Sequence, residues 1–340
     1  MVGSQQMLEP ETIVRLEHCG FDVLPNLTAL RTEALSLEGN RFRFIQPQHL
    51  PLRLKYLSLR TNSLTSANIF HQTVYPSIET LILDSNYIHG IYDLASSAPN
   101  LKTLSLAVNS IHRIDTLTDF NHLENLYIPY NQIDVLDSIP KTIKTLDVCS
   151  CKIRMVQSRM PPGVEKINLS CNLLKFAGLP FNWGNSLREL NLSFNNLQKF
   201  PRKLPDTLEI LYIQDNRIIE LPDTLPASLR ILIASKNKIL KIPEYKRKRL
   251  ELLNMSDNRL TDLTQGEAIT TVFIADHNWN QIIHEIVVNR IIKLWRRYCL
   301  QLRLRSIVRT QRLRNSLLEV AMSPSRLGLF EAIPKGWSDS

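Results

Sequence analysis

The chain has 340 residues, is 44% hydrophobic and 21% charged, and carries a formal charge of +9. That balance is globular rather than disordered, and no apolar run reaches the roughly 20 residues of a membrane-spanning helix. The opening residues lack the charged and apolar regions of a secretory leader, and five cysteines (Cys19, Cys149, Cys151, Cys171, Cys299) follow no disulfide framework. A cytoplasmic location is therefore expected, with a nuclear one as the variant and a secreted one excluded. On that expectation, four Asn-x-Ser/Thr triplets at Asn26, Asn168, Asn191 and Asn254 carry no glycan.

Residues 1–10 form a short extension, after which a repeat organises the chain. Leu54-x-x-Leu57-x-Leu59-x-x-Asn62-x-Leu64 sets a template that returns at Ile78–Ile88, Leu101–Ile111, Leu187–Leu197 and Leu208–Ile218. Anchored on the Asn column, thirteen units centre on positions 19, 40, 62, 86, 109, 131, 151, 172, 195, 216, 237, 258 and 277. The Leu-x-Leu pair has the period of two of a strand with both leucines inward, and stacked units give a parallel sheet over a shared core. The Asn ends each strand in a turn, where its amide can satisfy unpaired backbone groups. Cys19, Cys151 and His277 depart from that column. Cys149, Cys151 and Cys171 come from neighbouring units, but Cys149 faces outward and Cys151 inward, so no metal site is expected.

Residues 11–280 resemble the leucine-rich repeat superfamily. Units such as Leu221-Pro-Asp-Thr-Leu-Pro-Ala-Ser-Leu229 are similar to short bacterial effector-type repeats. The spacing Ile111-x-x-Ile114-x-x-Leu117-x-x-Phe120 looks like the phosphatase-regulator type, and a giant DNA virus source is compatible with the mixture. The resemblance implies an α/β fold: a right-handed horseshoe with its parallel β-sheet on the concave face, a mostly 3₁₀ or extended convex side, and a C-terminal α-helical cap and tail. Prolines in the short units agree with extended or 3₁₀ convex segments.

Proteins of this architecture commonly bind through the concave sheet. Outward strand residues are charged in the first units and small in the middle, where Tyr127 stands out. In the last units Ile210, Tyr212, Ile231, Ile233, Leu252 and Phe273 form an apolar group where solvent is expected, a candidate surface for a protein partner. The sheet offers no basic groove with interleaved aromatics, so nucleic acid is not expected there.

Residues 281–322 read as a basic amphipathic helical cap and tail, and 323–340 as a flexible terminus. From position 281 onward there are eleven basic and four acidic residues. Arg290, Lys293, Trp295, Arg296, Arg297, Leu302, Arg303, Arg305, Val308 and Arg309 combine a cationic face with apolar anchors. Such a helix can cap the solenoid, engage a calmodulin-like protein or lie on an anionic membrane. No phosphate-binding glycine loop, nucleophile elbow or His-Glu-x-x-His element is present, so the expectation is a non-enzymatic, cofactor-free, monomeric scaffold.

Overall fold

A computed structural model describes residues 13–243, except 72 and 158, together with 250–261 and the strand at 270–274. The C-terminal cap and tail lie outside the described residues. The strands are β1 (Val14–Arg15), β2 (Ala34–Ser36), β3 (Tyr56–Ser58), β4 (Thr80–Ile82), β5 (Thr103–Ser105), β6 (Asn125–Tyr127), β7 (Val135–Leu136), β8 (Thr145–Asp147), β9 (Met155–Val156), β10 (Lys166–Asn168), β11 (Glu189–Asn191), β12 (Ile210–Tyr212), β13 (Ile231–Ile233), β14 (Leu250–Asn254) and β15 (Thr270–Ile274). Thirteen of them form one parallel sheet in chain order, and β7 and β9 pair separately. On the opposite side the chain makes 3₁₀ turns at Pro47–His49, Asp115–Asp119 and Phe176–Gly178 and one α-helical turn at Leu94–Ser97.

The core follows from the repeat. Leu57 and Leu59, Leu81 and Leu83, Leu104 and Leu106, and Leu190 and Leu192 are fully buried, and every coil adds to one continuous cluster. Each coil leaves backbone groups at the strand exit that the sheet does not use, and the Asn column takes them. Asn109 Nδ2 donates to the carbonyls of Leu83 (3.0 Å), Leu106 (3.0 Å) and Ala107 (3.2 Å), while its Oδ1 accepts the Ile88 N–H (3.0 Å). One side chain therefore closes its own turn and ties it to the preceding coil. Cys151 substitutes weakly, with Sγ 3.4 Å from the Ile128 carbonyl oxygen, and burial pushes its thiol up to about 11.

The residue before each Asn-equivalent turns the chain through the left-handed region. His18, Thr61, Ser85, Val108, Tyr130, Ser150, Cys171, Phe194, Asp215, Lys236 and Asp257 have φ between 52° and 57°, and Gly39 fills the same place at 70°. A β-branched residue is strained there by roughly 1–2 kcal/mol. Val108 is half exposed, so little packing offsets that strain. The substitution Val108→Asn is expected to stabilise the protein by about 1 kcal/mol, seen as a higher midpoint in urea unfolding; a lower midpoint would show that Val108 is held by contacts instead.

A second column reinforces the stacking. Seven residues before the Asn-equivalent of the eleven units from Asn40 to Asn258 the chain carries Glu33, Lys55, Glu79, Lys102, Glu124, Lys144, Glu165, Arg188, Glu209, Arg230 and Glu251, alternating in sign throughout. Ion pairs join Lys55 to Glu33 (2.8 Å), Lys102 to Glu79 (2.8 Å), Lys144 to Glu124 (3.0 Å), Arg188 to Glu209 (2.8 Å) and Arg230 to Glu251 (2.9 Å). Each exposed pair contributes only about 0–1 kcal/mol. The alternation matters more for specificity, because skipping one coil would place like charges side by side.

Candidate functional site

The concave sheet positions the candidate residues. Register pairs Ile210 with Ile231 and Ile231 with Leu252, and pairs Tyr212 with Ile233. All five side chains are partly exposed. Strands lie about 4.8 Å apart, so the five form a contiguous apolar patch across three strands. Its border is polar. Glu209, Arg230 and Glu251 form a continuous ion-paired line on one side, and Gln214, Ser235 and Ser256 follow on the other. An apolar centre with a polar rim is the usual anatomy of a protein interface. Burial pushes the Tyr212 phenol upward, with the Glu189 charge adding to it. The ring is therefore a neutral hydrogen-bonding anchor at physiological pH.

Two expected members fall elsewhere. Tyr127 lies on β6, separated from Tyr212 on β12 by three strands carrying Asp147, Asn168 and Asn191 in its row. Its surroundings are polar, and burial with the adjacent Asp147 carboxylate raises its phenol. Phe273 is displaced by one residue. The register of β14 with β15 aligns Phe273 with Leu253, a core position, and places Val272 and Ile274 beside the outward Leu252 and Asn254. The cause is the anchor: an offset of 20 residues from Asn258 reaches Asn278 rather than His277. A one-residue change of register exchanges the faces of a strand. The tail candidates Arg290, Lys293, Trp295, Arg296, Arg297, Leu302, Arg303, Arg305, Val308 and Arg309 lie outside the described residues.

Sequence reasoning also missed a smaller apolar group at the first coils. Ala34, Tyr56 and Ile82 are buried together with Ile13 packed against them, apart from the main core. Their signal was the column six residues before each Asn, which carries Ile13, Ala34 and Tyr56 in succession. Beside them Asp84 accepts the Ser105 hydroxyl (2.5 Å) and the Ala107 N–H (2.8 Å), and burial pushes its carboxyl upward. The cysteines diverge as their strand positions require. Cys151 is buried, Cys149 faces the concave side and Cys171 is exposed in its turn. Burial and the Asp147 charge push the Cys149 thiol well upward, so it is an unreactive thiol at neutral pH. Among the described residues no cluster of three or more His, Cys, Asp or Glu side chains is arranged to hold a metal.

A parallel-sheet solenoid with an Asn-capped strand in each coil defines a class of repeat protein. Family models described as leucine rich repeat match residues 76–133 and 186–206. The chain is a leucine-rich-repeat protein. Lumican of Coturnix japonica is 30% identical over 171 residues, covering 48% of this chain and 44% of lumican. Podocan of Mus musculus is 30% identical over 207 residues, covering 54% of this chain and 32% of podocan. The solved structure of YopM, a leucine-rich effector protein from Yersinia pestis, aligns with a TM-score of 0.62 at 23% identity, over 75% of this chain and 69% of that one. The chain thus spans less than half the length of these two curated relatives.

These relatives overturn one expectation. Lumican and podocan are secreted extracellular-matrix proteins, which points away from the cytoplasm. The cysteine pattern misled because free thiols placed by a repeat, such as Cys151 in the Asn column, report packing rather than redox compartment. The dismissal of the glycosylation triplets rested on the same expectation. Of the four, Asn26 is the exposed one, whereas Asn168, Asn191 and Asn254 stand on the concave strands, each accepting the N–H two residues on.

Proposed function

We propose that the protein is a non-enzymatic scaffold that binds a protein partner through the concave patch of Ile210, Tyr212, Ile231, Ile233 and Leu252. Leucine-rich-repeat proteins such as its relatives commonly serve as interaction scaffolds. The observation that carries the concave reading is the register. Five partly exposed apolar side chains are brought together on consecutive strands inside a charged and polar rim. Tyr212 is the expected centre, because a large ring with a polar tip gives the most contact for the least ordering cost.

The test is a paired capture from extracellular extract with the intact protein and the double variant Tyr212→Ser, Ile233→Ser. The side chains lie on the sheet surface, so unfolding should be little changed. A partner held by the intact protein should bind the variant at least about tenfold more weakly. Equal retention of every captured partner by the folded variant would remove the concave patch from the function.

A further inference from the structure

The segments that connect the concave strands differ sharply in charge along the solenoid. Those at 152–163, 173–187 and 196–208 carry seven basic residues, Lys152, Arg154, Arg159, Lys175, Lys199, Arg202 and Lys203, against one acidic residue, Asp206. All seven are exposed. The preceding connection carries Asp134 and Asp137 against Lys141, and the following one Glu220 and Asp223 against Arg217, so the cationic region lies between two connections that are each acidic by one charge. Asp206 is itself engaged, accepting the Ala227 N–H at 3.0 Å.

Packing joins these cations into one surface. Gly178 sits directly on the Arg154 carbonyl, too close for any larger residue, and brings the Phe176 turn against the Arg154 coil. The Arg202 guanidinium lies 4.6 Å from the Phe176 ring centroid, with Lys199 Nζ at 6.0 Å. Alongside, Arg159 bridges Asn182 as a parallel pair, and Lys203 Nζ stands 3.8 Å from the centroid of neighbouring Phe181. Two rows therefore cross three coils, one through Arg154, Phe176 and Arg202, the other through Arg159, Phe181 and Lys203. Each ring holds a cation over its face, which fixes charges that would otherwise wander. Next to Arg202 and Lys203 an open cavity of about 490 Å³ is lined by Pro201, Pro222, Leu225 and Pro226, with Asp206 and Thr224 also on its wall.

We propose that this face binds a sulfated polysaccharide chain. Two rows of preorganised cations suit a linear polymer with anions on each ring. The proline- and leucine-lined hollow at their end suits the apolar face of a sugar ring. Single-stranded nucleic acid is disfavoured because it needs free aromatic faces for base stacking, and here cations stand over the rings. A lipid surface would require a broader cationic plane than a ridge bounded by Asp134, Asp137, Glu220 and Asp223.

The experiment titrates the full chain with a heparin decasaccharide at several salt concentrations. The intact protein is expected to bind with affinity that falls steeply as salt rises, as for any polyanion releasing counterions, and desulfated heparin is expected not to bind. The double variant Lys199→Glu, Lys203→Glu should lose at least tenfold in affinity and show a shallower salt dependence. Should that variant unfold, Arg154→Glu, Lys175→Glu on the neighbouring coils makes the same prediction. Unchanged affinity in a folded patch variant would assign heparin binding to another basic segment and overturn the proposal. So would patch-dependent binding that is tighter for a 20-nucleotide thymidine oligomer or phosphatidylserine vesicles than for heparin.

Discussion

Replacing Asn109 by Ala is expected to destabilise the protein by about 3 kcal/mol. The substitution removes four hydrogen bonds, three donated by Nδ2 and one accepted by Oδ1. It leaves the Ile88 N–H buried without a partner, which costs about 1–3 kcal/mol, while the Leu83, Leu106 and Ala107 carbonyls keep Asn86 Nδ2, Asn131 Nδ2 and the Ser85 N–H as donors. The loss should be local at first, because a solenoid coil depends mainly on its neighbours. Urea unfolding should therefore show a lower midpoint and broader transition, with amide exchange accelerated first near Leu83, Ile88 and Leu106. Asn109→Cys is expected to cost less, since Cys151 shows that a thiol can occupy the column and keep one weak bond. A midpoint for Asn109→Ala equal to that of the intact protein would mean that the Asn column ends strands without holding coils together.

The second large effect is expected at Trp183. This side chain is 1% exposed, the largest fully buried one among the described residues, and its Nε1 donates to the Arg202 carbonyl at 3.3 Å. Trp183→Ala should cost about 3–5 kcal/mol through lost burial and an unfilled cavity. Trp183→Phe keeps most of the apolar volume and loses the indole bond, so it should cost about 1–2 kcal/mol. Adjacent Gly184 explains why the ring can seat there. It has φ of 81°, and a side chain on it would collide with the Pro161 carbonyl, so the chain passes tightly against the coil before. If unfolding of Trp183→Ala matched that of the intact protein, the indole would not be part of the folding core.

The architecture was legible because its determinants are periodic. Leu-x-Leu followed by Asn or its equivalent recurs every 20–24 residues, and each recurrence states which side chains face inward. The short convex segments followed from prolines, and the structure places Pro47 at the start of a 3₁₀ turn. Errors arose where one anchor or one sum stood for local detail. Anchoring the last unit on His277 put Phe273 in the outward column, whereas the strand register pairs it with Leu253. The column six residues before Asn drew notice only in the last units, at Ile210, Ile231 and Leu252, which missed Ala34 and Tyr56 in the first ones, and the alternating Glu33–Lys55–Glu79 line at seven was missed altogether. The charge totals of the chain and of its tail hid the cations between Lys152 and Lys203, because the acids that balance them lie on the strands and in flanking connections. Which exposed rings meet which cations depends on how three successive coils pack, and no spacing rule in the chain expresses that.

The two faces make separable demands. The concave patch is apolar with a charged rim and suits desolvation against a protein surface. The cationic ridge between Arg154 and Lys203 is solvated and salt-sensitive. Hydroxyl-radical footprinting of the protein with its captured protein partner compares them in one sample. Tyr212, Ile210 and Ile233 should lose reactivity on binding, while the exposed Tyr87, Tyr130 and Phe181 retain theirs. Undiminished labelling of Tyr212 in a complex that protects Phe181 or Tyr130 would contradict concave recognition.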